Sequence, residues 1–301
     1  MNKHTIHFIG DIHGHATLLE QLLLRLGYVH TNGAYQHPEA RAFFCGDLIN
    51  RGCENIRSLE IVRAMQQAGS AELVMGNHDY MFVLYHLRQA GTDERVYPHA
   101  QNYEKLFATT LEEFSGKPEL LNEYLNWMKT IPVLIDRPDF RLVHACWDAD
   151  AIELLRAYTG NRFVLSEAHW NLFSDPEHPI VAAIHRLTFG IQIKFELEDA
   201  WIKPRIRYWQ NPQGKTLAQV LFLKPNDMLL PAAKELLPER FYPAFIPYPK
   251  NAPLVVHGHY CQKGTPAVQQ ENVVITDYCV YRTQRLACYR LLPDGTADWV
   301  I

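Results

Sequence analysis

Short apolar runs alternate with stretches of three-to-four-residue periodicity through the first part of the chain. His4–Ile9, Arg41–Cys45 and Ala71–Val74 read as strands. Ala16–Leu26 and Glu54–Ala68 carry apolar residues at helical spacing and read as amphipathic helices. This βαβαβ order predicts an α/β sheet with helices packed on it. Asp79–Gln89 and Lys117–Met128 continue the helical pattern, and Val133–Asp136 and Phe140–His144 predict two strands joined at Arg137-Pro138-Asp139. Leu254–His257, Val273–Thr276 and Leu286–Leu291 predict the closing strands. Between Asp148 and Asn251 the pattern breaks into helical pieces, a basic strand-like KPRIRYWQNPQGK and a proline-rich FYPAFIPYPKNAP. Prolines do not fit inside regular elements. The region, about 150–250, therefore reads as an insertion or cap within a single domain spanning 1–301. No internal repeat is visible.

Composition narrows the class. With 48% hydrophobic residues the chain can build a sizeable core. A net charge of -4 gives no basic field, hence no strong nucleic-acid signal. The six cysteines form no C-x-x-C pair and read as reduced thiols of a cytoplasmic protein. No secretory leader is apparent, and no apolar run approaches the ~18 residues of a membrane span.

Chemistry concentrates where strands end. Gly10-Asp11-Ile12-His13-Gly14 follows the first strand, Gly46-Asp47-Leu48-Ile49-Asn50-Arg51-Gly52 the second, and Gly76-Asn77-His78-Asp79 the third. His144 ends the 140–143 run, and His257-Gly258-His259 ends the run from Leu254. Ligands of open α/β sheets bind beyond the carboxyl ends of strands. Five such ends would deliver Asp, His and Asn side chains to one edge, with glycines where the backbone must turn sharply. Each group alone has an ordinary reading as a turn or a helix start. Five in this order do not.

The series GDIHG, GDLINRG, GNHD, VHA and GHY resembles the calcineurin-like metallophosphoesterases, nearest the branch of serine/threonine protein phosphatases and bacterial diadenosine tetraphosphatases. The closing ITDYCVYRTQRLACYRL resembles that branch as well. The resemblance implies a four-layer α/β/β/α sandwich of two mixed sheets and a centre for two divalent ions. Asp11 and His13 would bind one ion, Asp47 would bridge, and Asn77, His144 and His259 would complete the other. Such donors suit manganese, the first expectation, and also iron or zinc. The implied reaction is attack of a metal-activated hydroxide on phosphorus. His78 would protonate or stabilise the leaving oxygen, and Arg51 would grip phosphate oxygens with its planar fork.

Departures from the pattern qualify these roles. Asn50 stands where the protein-phosphatase branch has an aspartate that supports the catalytic histidine. Its carbonyl oxygen can accept a hydrogen bond but brings no charge, so His78 is expected to have a lower pKa than in a typical relative. Cys261 stands where many members have a further histidine ligand and reads as a plain cysteine. His259 is preferred to His257 as the ligand because it follows Gly258. His15 reads as a residue supporting the site or the helix start. Arg205 and Arg207, placed on one side of a strand, read equally as substrate-binding groups or as a solvated face. The expected substrate is a phosphomonoester, either a phosphoprotein or a small molecule. Dinucleoside polyphosphates, nucleic-acid ends and a non-catalytic metal-bound binding module are the alternatives; Asp79, where eukaryotic protein phosphatases carry glutamate, motivates the first of these. Oligomeric state stays open.

Overall fold

Two sheets stack through a band of aromatic and branched side chains in a computed structural model that describes residues 4–89, 91–97, 103–197, 200–222 and 231–301. In the first sheet Thr5–Ile9 runs parallel to Ala40–Phe44, which runs parallel to Ala71–Leu73. On its other side Thr5–Ile9 pairs antiparallel with Cys288–Leu291, and that strand with Ala297–Val300. In the second sheet Leu254–His257 lies parallel to both Val273–Ile275 and Phe140–Val143, with Leu134–Asp136 antiparallel at the edge.

Alternation along each strand explains the layers. Ile6, Phe8, Phe43, Phe140, Leu142, Val256 and Val274 point between the sheets and are buried together. The Phe8 ring meets that of Phe140 at 5.0 Å, nearly edge to face. Burying one such ring stabilises by roughly 1.5–3 kcal/mol. The intervening Ile9, Ala42, Phe44, Val143, Val255, Val273 and Ile275 face outward into a second core. Helices Ala16–Arg25 and Asn55–Gln67 bring Leu19, Leu22, Leu23, Leu59, Val62 and Met65 to that core. Ala149–Thr159 and Pro179–Phe189 bring Ile152, Leu155, Ile180, Ile184 and Leu187. The result is a mixed α/β fold of helices, sheet, sheet and helices.

Several elements differ from the sequence reading. The third helix runs Asn77–His86 and so begins two residues before Asp79. Glu104–Phe114 and Ala297–Val300 are an α-helix and a strand that the pattern did not single out. Within the expected insertion, Arg205–Ile206 pairs with Leu221–Phe222, while residues 198, 199 and 223–230 lie outside the described set. A short 3-10 turn at Glu239–Ala244 accommodates Pro243. The thiol expectation fails for two cysteines: Cys261 and Cys279 are joined in a disulfide, with Cα atoms 5.0 Å apart. Two loops at neighbouring strand ends bring them together, a proximity that spacing along the chain does not reveal. Among the described residues no helix is long and apolar enough to cross a membrane.

Candidate metal centre

Asp47 leaves the end of the Ala40–Phe44 strand with φ at +52°, buried and 2% exposed. Its two oxygens face different partners. Oδ2 lies 3.7 Å from His13 Nε2 and 3.9 Å from His78 Nε2. Oδ1 lies 3.4 Å from His144 Nε2 and accepts a hydrogen bond from the His78 backbone N–H at 2.8 Å. Around His144 Nε2 gather Asn77 Oδ1 at 3.1 Å and His259 Nδ1 at 3.2 Å. Ligand-type atoms of His13, Asp47 and His78 thus form one group, and those of Asp47, His144 and His259 another, each within 4.8 Å.

Backbone carbonyls hold the imidazoles from behind. His13 Nδ1 meets Ile49 O at 3.1 Å, His144 Nδ1 meets Cys45 O at 2.6 Å, and His259 Nε2 meets Phe189 O at 2.9 Å. Each contact assigns the proton to the outer nitrogen and leaves the inner one as a lone pair, the arrangement a metal-binding histidine needs. Lone pairs of His144, His259, Asn77 and Asp47 converge in a space shut off from water. A cation would relieve that crowding, so the donor set fits divalent ions of the manganese, iron or zinc type.

Close backbone approach makes this possible. A Cβ on Gly258 would overlap Asp11 Oδ1, and one on Gly76 would overlap the backbone of Asp47. Asp11, also buried, accepts the His259 N–H at 3.0 Å on Oδ2. Of the nine non-glycine residues with positive φ among the described residues, His13, Asp47, Asn50, Arg51, His259 and Cys279 lie at this edge. Such conformations cost on the order of 1 kcal/mol each and persist where the surroundings impose them.

Electrostatics follow burial and the central carboxylate. Burial works against Asp47's charge, but His144 and His78 outweigh it and hold the carboxyl well below its usual range. Burial likewise lowers His144, yet Asp47 lifts it to about 9, so without a cation its inner nitrogen also holds a proton, one that a metal ion would displace to free the lone pair. Burial takes His13 down to about 3 and His78 to about 4, in both cases against the pull of Asp47. Asp11 is pushed well above the carboxylate range by burial and by the nearby Asp277.

The other expected residues divide. Asn50 is fully buried beside His78, but not in the expected orientation. Its Oδ1 accepts from the Thr110 hydroxyl at 2.6 Å, so its Nδ2 faces His78 Nδ1 at 3.0 Å. The amide is therefore the donor, and the His78 proton resides on Nε2. Arg205 reaches the centre and donates to His259 O at 3.2 Å. Arg207 does not follow it, because the strand ends at Ile206. Its guanidinium lies 4.0 Å from the Phe222 ring and contacts Gln269. His257 stays out of the cluster, buried against Tyr208 and Trp209. His15 starts the first helix. Asp79 is fully buried and accepts from the Leu48 and Gly76 N–H groups, tying two site loops to the helix start. Cys261 is taken by Cys279.

Three neighbours of the centre were not singled out in the sequence. Asp277 ends the Val273–Ile275 run much as Asp11 and Asp47 end theirs, a signal that was present, and burial lifts it to about 6. Thr110 and Tyr281 carry no such signal, being in contact with the site only through folding.

The model for calcineurin-like phosphoesterases matches residues 4–301. A symmetrical bis(5'-nucleosyl)-tetraphosphatase from Chromohalobacter salexigens is 24% identical over 286 residues, covering 91% of this chain and 90% of that protein. An asymmetrical bis(5'-nucleosyl)-tetraphosphatase from Oceanobacillus iheyensis is 40% identical over 74 residues, 24% of this chain. The chain spans only 30% of that relative, and 43% of a symmetrical one from Janthinobacterium. Among solved structures, a mutant cold-active protein tyrosine phosphatase superposes with a TM-score of 0.52 at 17% identity, covering 100% of this chain and 81% of that one. A protein serine/threonine phosphatase from Saccharomyces cerevisiae gives 0.51 at 13% identity, covering 99% and 79%. These structural likenesses concern the fold.

Proposed function

The chain belongs to the calcineurin-like phosphoesterase family, whose members are hydrolases acting on phosphoester bonds, and we propose that it cleaves the polyphosphate bridge of a dinucleoside polyphosphate at a centre for two divalent ions. The observation that carries the reading is Asp47, one carboxylate with each oxygen turned to a separate group of buried donors. His13 and Asp47 Oδ2, with Asp11, would hold one ion. Asp47 Oδ1, Asn77, His144 and His259 would hold the other. Manganese is the proposed occupant of both. The ions would supply Lewis-acid charge and lower the pKa of water.

The chain's own groups would do the rest. Arg51, beside Tyr281, and Arg205, beside His259, would offer guanidinium donors to phosphoryl oxygens. His78 holds its proton on Nε2, fixed by Asn50 at Nδ1, and as a neutral imidazole donates a hydrogen bond from it to the charge developing on the leaving oxygen. Asp79 keeps the Asp47 loop and the His78 helix in register.

The near full-length likeness to a protein named as a symmetrical bis(5'-nucleosyl)-tetraphosphatase favours a phosphoanhydride substrate over the phosphomonoester expected first. The test is to incubate manganese-loaded protein separately with diadenosine tetraphosphate and with p-nitrophenyl phosphate, and to resolve the products by anion-exchange chromatography. ADP alone indicates symmetrical cleavage, and ATP with AMP indicates asymmetrical cleavage. Turnover of p-nitrophenyl phosphate alone returns the assignment to phosphomonoesters. Turnover of neither removes the proposal.

A further inference from the structure

Tyr281 lies in the short turn of helix Val280–Thr283, far along the chain from the residues it meets. Its ring centroid is 4.3 Å from the Arg51 guanidinium carbon and 5.7 Å from the His13 ring, which it meets edge-on at 86°. Arg51 is exposed, and among the described residues no carboxylate lies within ion-pair distance of it. An exposed arginine has wide rotamer freedom, and ordering it on binding weakens the complex. The ring therefore supplies what a carboxylate supplies elsewhere, a face against which the guanidinium rests without its donors being consumed. The turn that carries the ring is well anchored. Cys279 is bonded to Cys261 and donates its N–H to Asp277 at 2.7 Å, and the Thr283 hydroxyl donates to Tyr278 O at 2.8 Å. The phenol hydroxyl of Tyr281 makes no hydrogen bond among the described residues, so the ring is the working part.

We propose that Tyr281 is a positioning residue whose ring holds Arg51 ready for the oxygens of a phosphate group. The inference rests on the phosphohydrolase reading only in taking phosphate as the ligand of Arg51. Its test uses the full chain loaded with manganese and measures the dissociation constant of inorganic phosphate by calorimetry, alongside KM and kcat on whichever substrate turns over. Tyr281→Ala is expected to weaken phosphate binding and raise KM by about twofold to fivefold, with kcat and manganese content held. Tyr281→Phe is expected to restore both. In an Arg51→Ala background, Tyr281→Ala is expected to add nothing. An equal loss in that background, a Phe variant as weak as the Ala variant, or a loss of manganese that accounts for the weakening would each overturn the proposal. If the wild type binds phosphate but hydrolyses nothing, the reaction assignment falls while the calorimetric comparison still decides the role of Tyr281.

Discussion

The buried donor cluster, the floor of the site, and the arginines at its edge, its mouth, are built on opposite terms. On the floor, Asp47, Asn77, His144 and His259 are at most 5% exposed, and each histidine is braced by a backbone carbonyl. At the mouth, Arg51 is exposed and Arg205 is half-buried, and they rest on a ring and on a single carbonyl. Small, highly charged ions demand fixed donors at fixed distances. A phosphate chain that must enter and leave is better served by cations whose hydrogen-bonding capacity is still free. In the proposed reading, burial thus sorts these residues into those that would hold ions and those that would meet substrate.

The sharpest way to break this division is Asp47→Asn. Losing the charge shared by both donor groups should lower activity by about a thousandfold or more and reduce bound metal, as metal analysis alongside turnover would show. A variant that keeps its metal and its rate would mean the floor does not depend on that carboxylate. His78→Ala should come next, lowering kcat on the order of a hundredfold while bound metal is retained; a fall in metal content would move His78 into the ion-holding set. The mouth itself is tested by a pair. Arg205→Ala should raise KM roughly tenfold, as expected for a lost charged hydrogen bond, whereas Arg207→Ala should change it by less than about twofold because its contacts lie with Phe222 and Gln269. Equal effects would show that both arginines meet substrate.

The smallest effect probes burial away from the site. His7 is buried, hydrogen-bonded to Tyr28 through Nδ1 at 3.2 Å, and lowered to about 4, first by burial and then by His37 and Arg290, against Asp298. In the unfolded chain it titrates near 6.5. The unfolded state therefore takes up a proton first, and stability present above pH 6.5 is lost as pH falls towards 4. Between pH 7.5 and 5 this should account for about 1–2 kcal/mol, and His7→Gln should flatten that part of the urea-midpoint profile. An unchanged slope would place the acid sensitivity elsewhere, in the carboxylates of the floor for example.

The sequence is most readable where chemistry and chain geometry coincide. Asp11, His13, Asp47, Asn77, His144 and His259 follow apolar runs, all but His144 beside glycines, and local pattern marks those places. The βαβαβ start is legible because the two periods, strand and helix, alternate cleanly there. What pattern does not give is contact across the fold. Thr110 reaches Asn50 from a helix 60 positions away, and in doing so it turns the Asn50 amide opposite to the sense expected from its chemistry alone. Arg205 and Arg207 look equivalent on the assumption of a longer strand, and a strand ending at Ile206 separates them. Cys261 and Cys279 are two ordinary cysteines until the loops at two neighbouring strands meet.

The convergence of lone pairs around His144 also has a thermodynamic reach beyond catalysis. Those groups are gathered only in the native chain, so any ion they take binds the folded state and not the unfolded one. By mass action every tenfold rise in free ion above its dissociation constant adds about 1.4 kcal/mol to folding, per site. The melting temperature of this protein should therefore work as a gauge of available metal, and a chelator should act on it as a denaturant does.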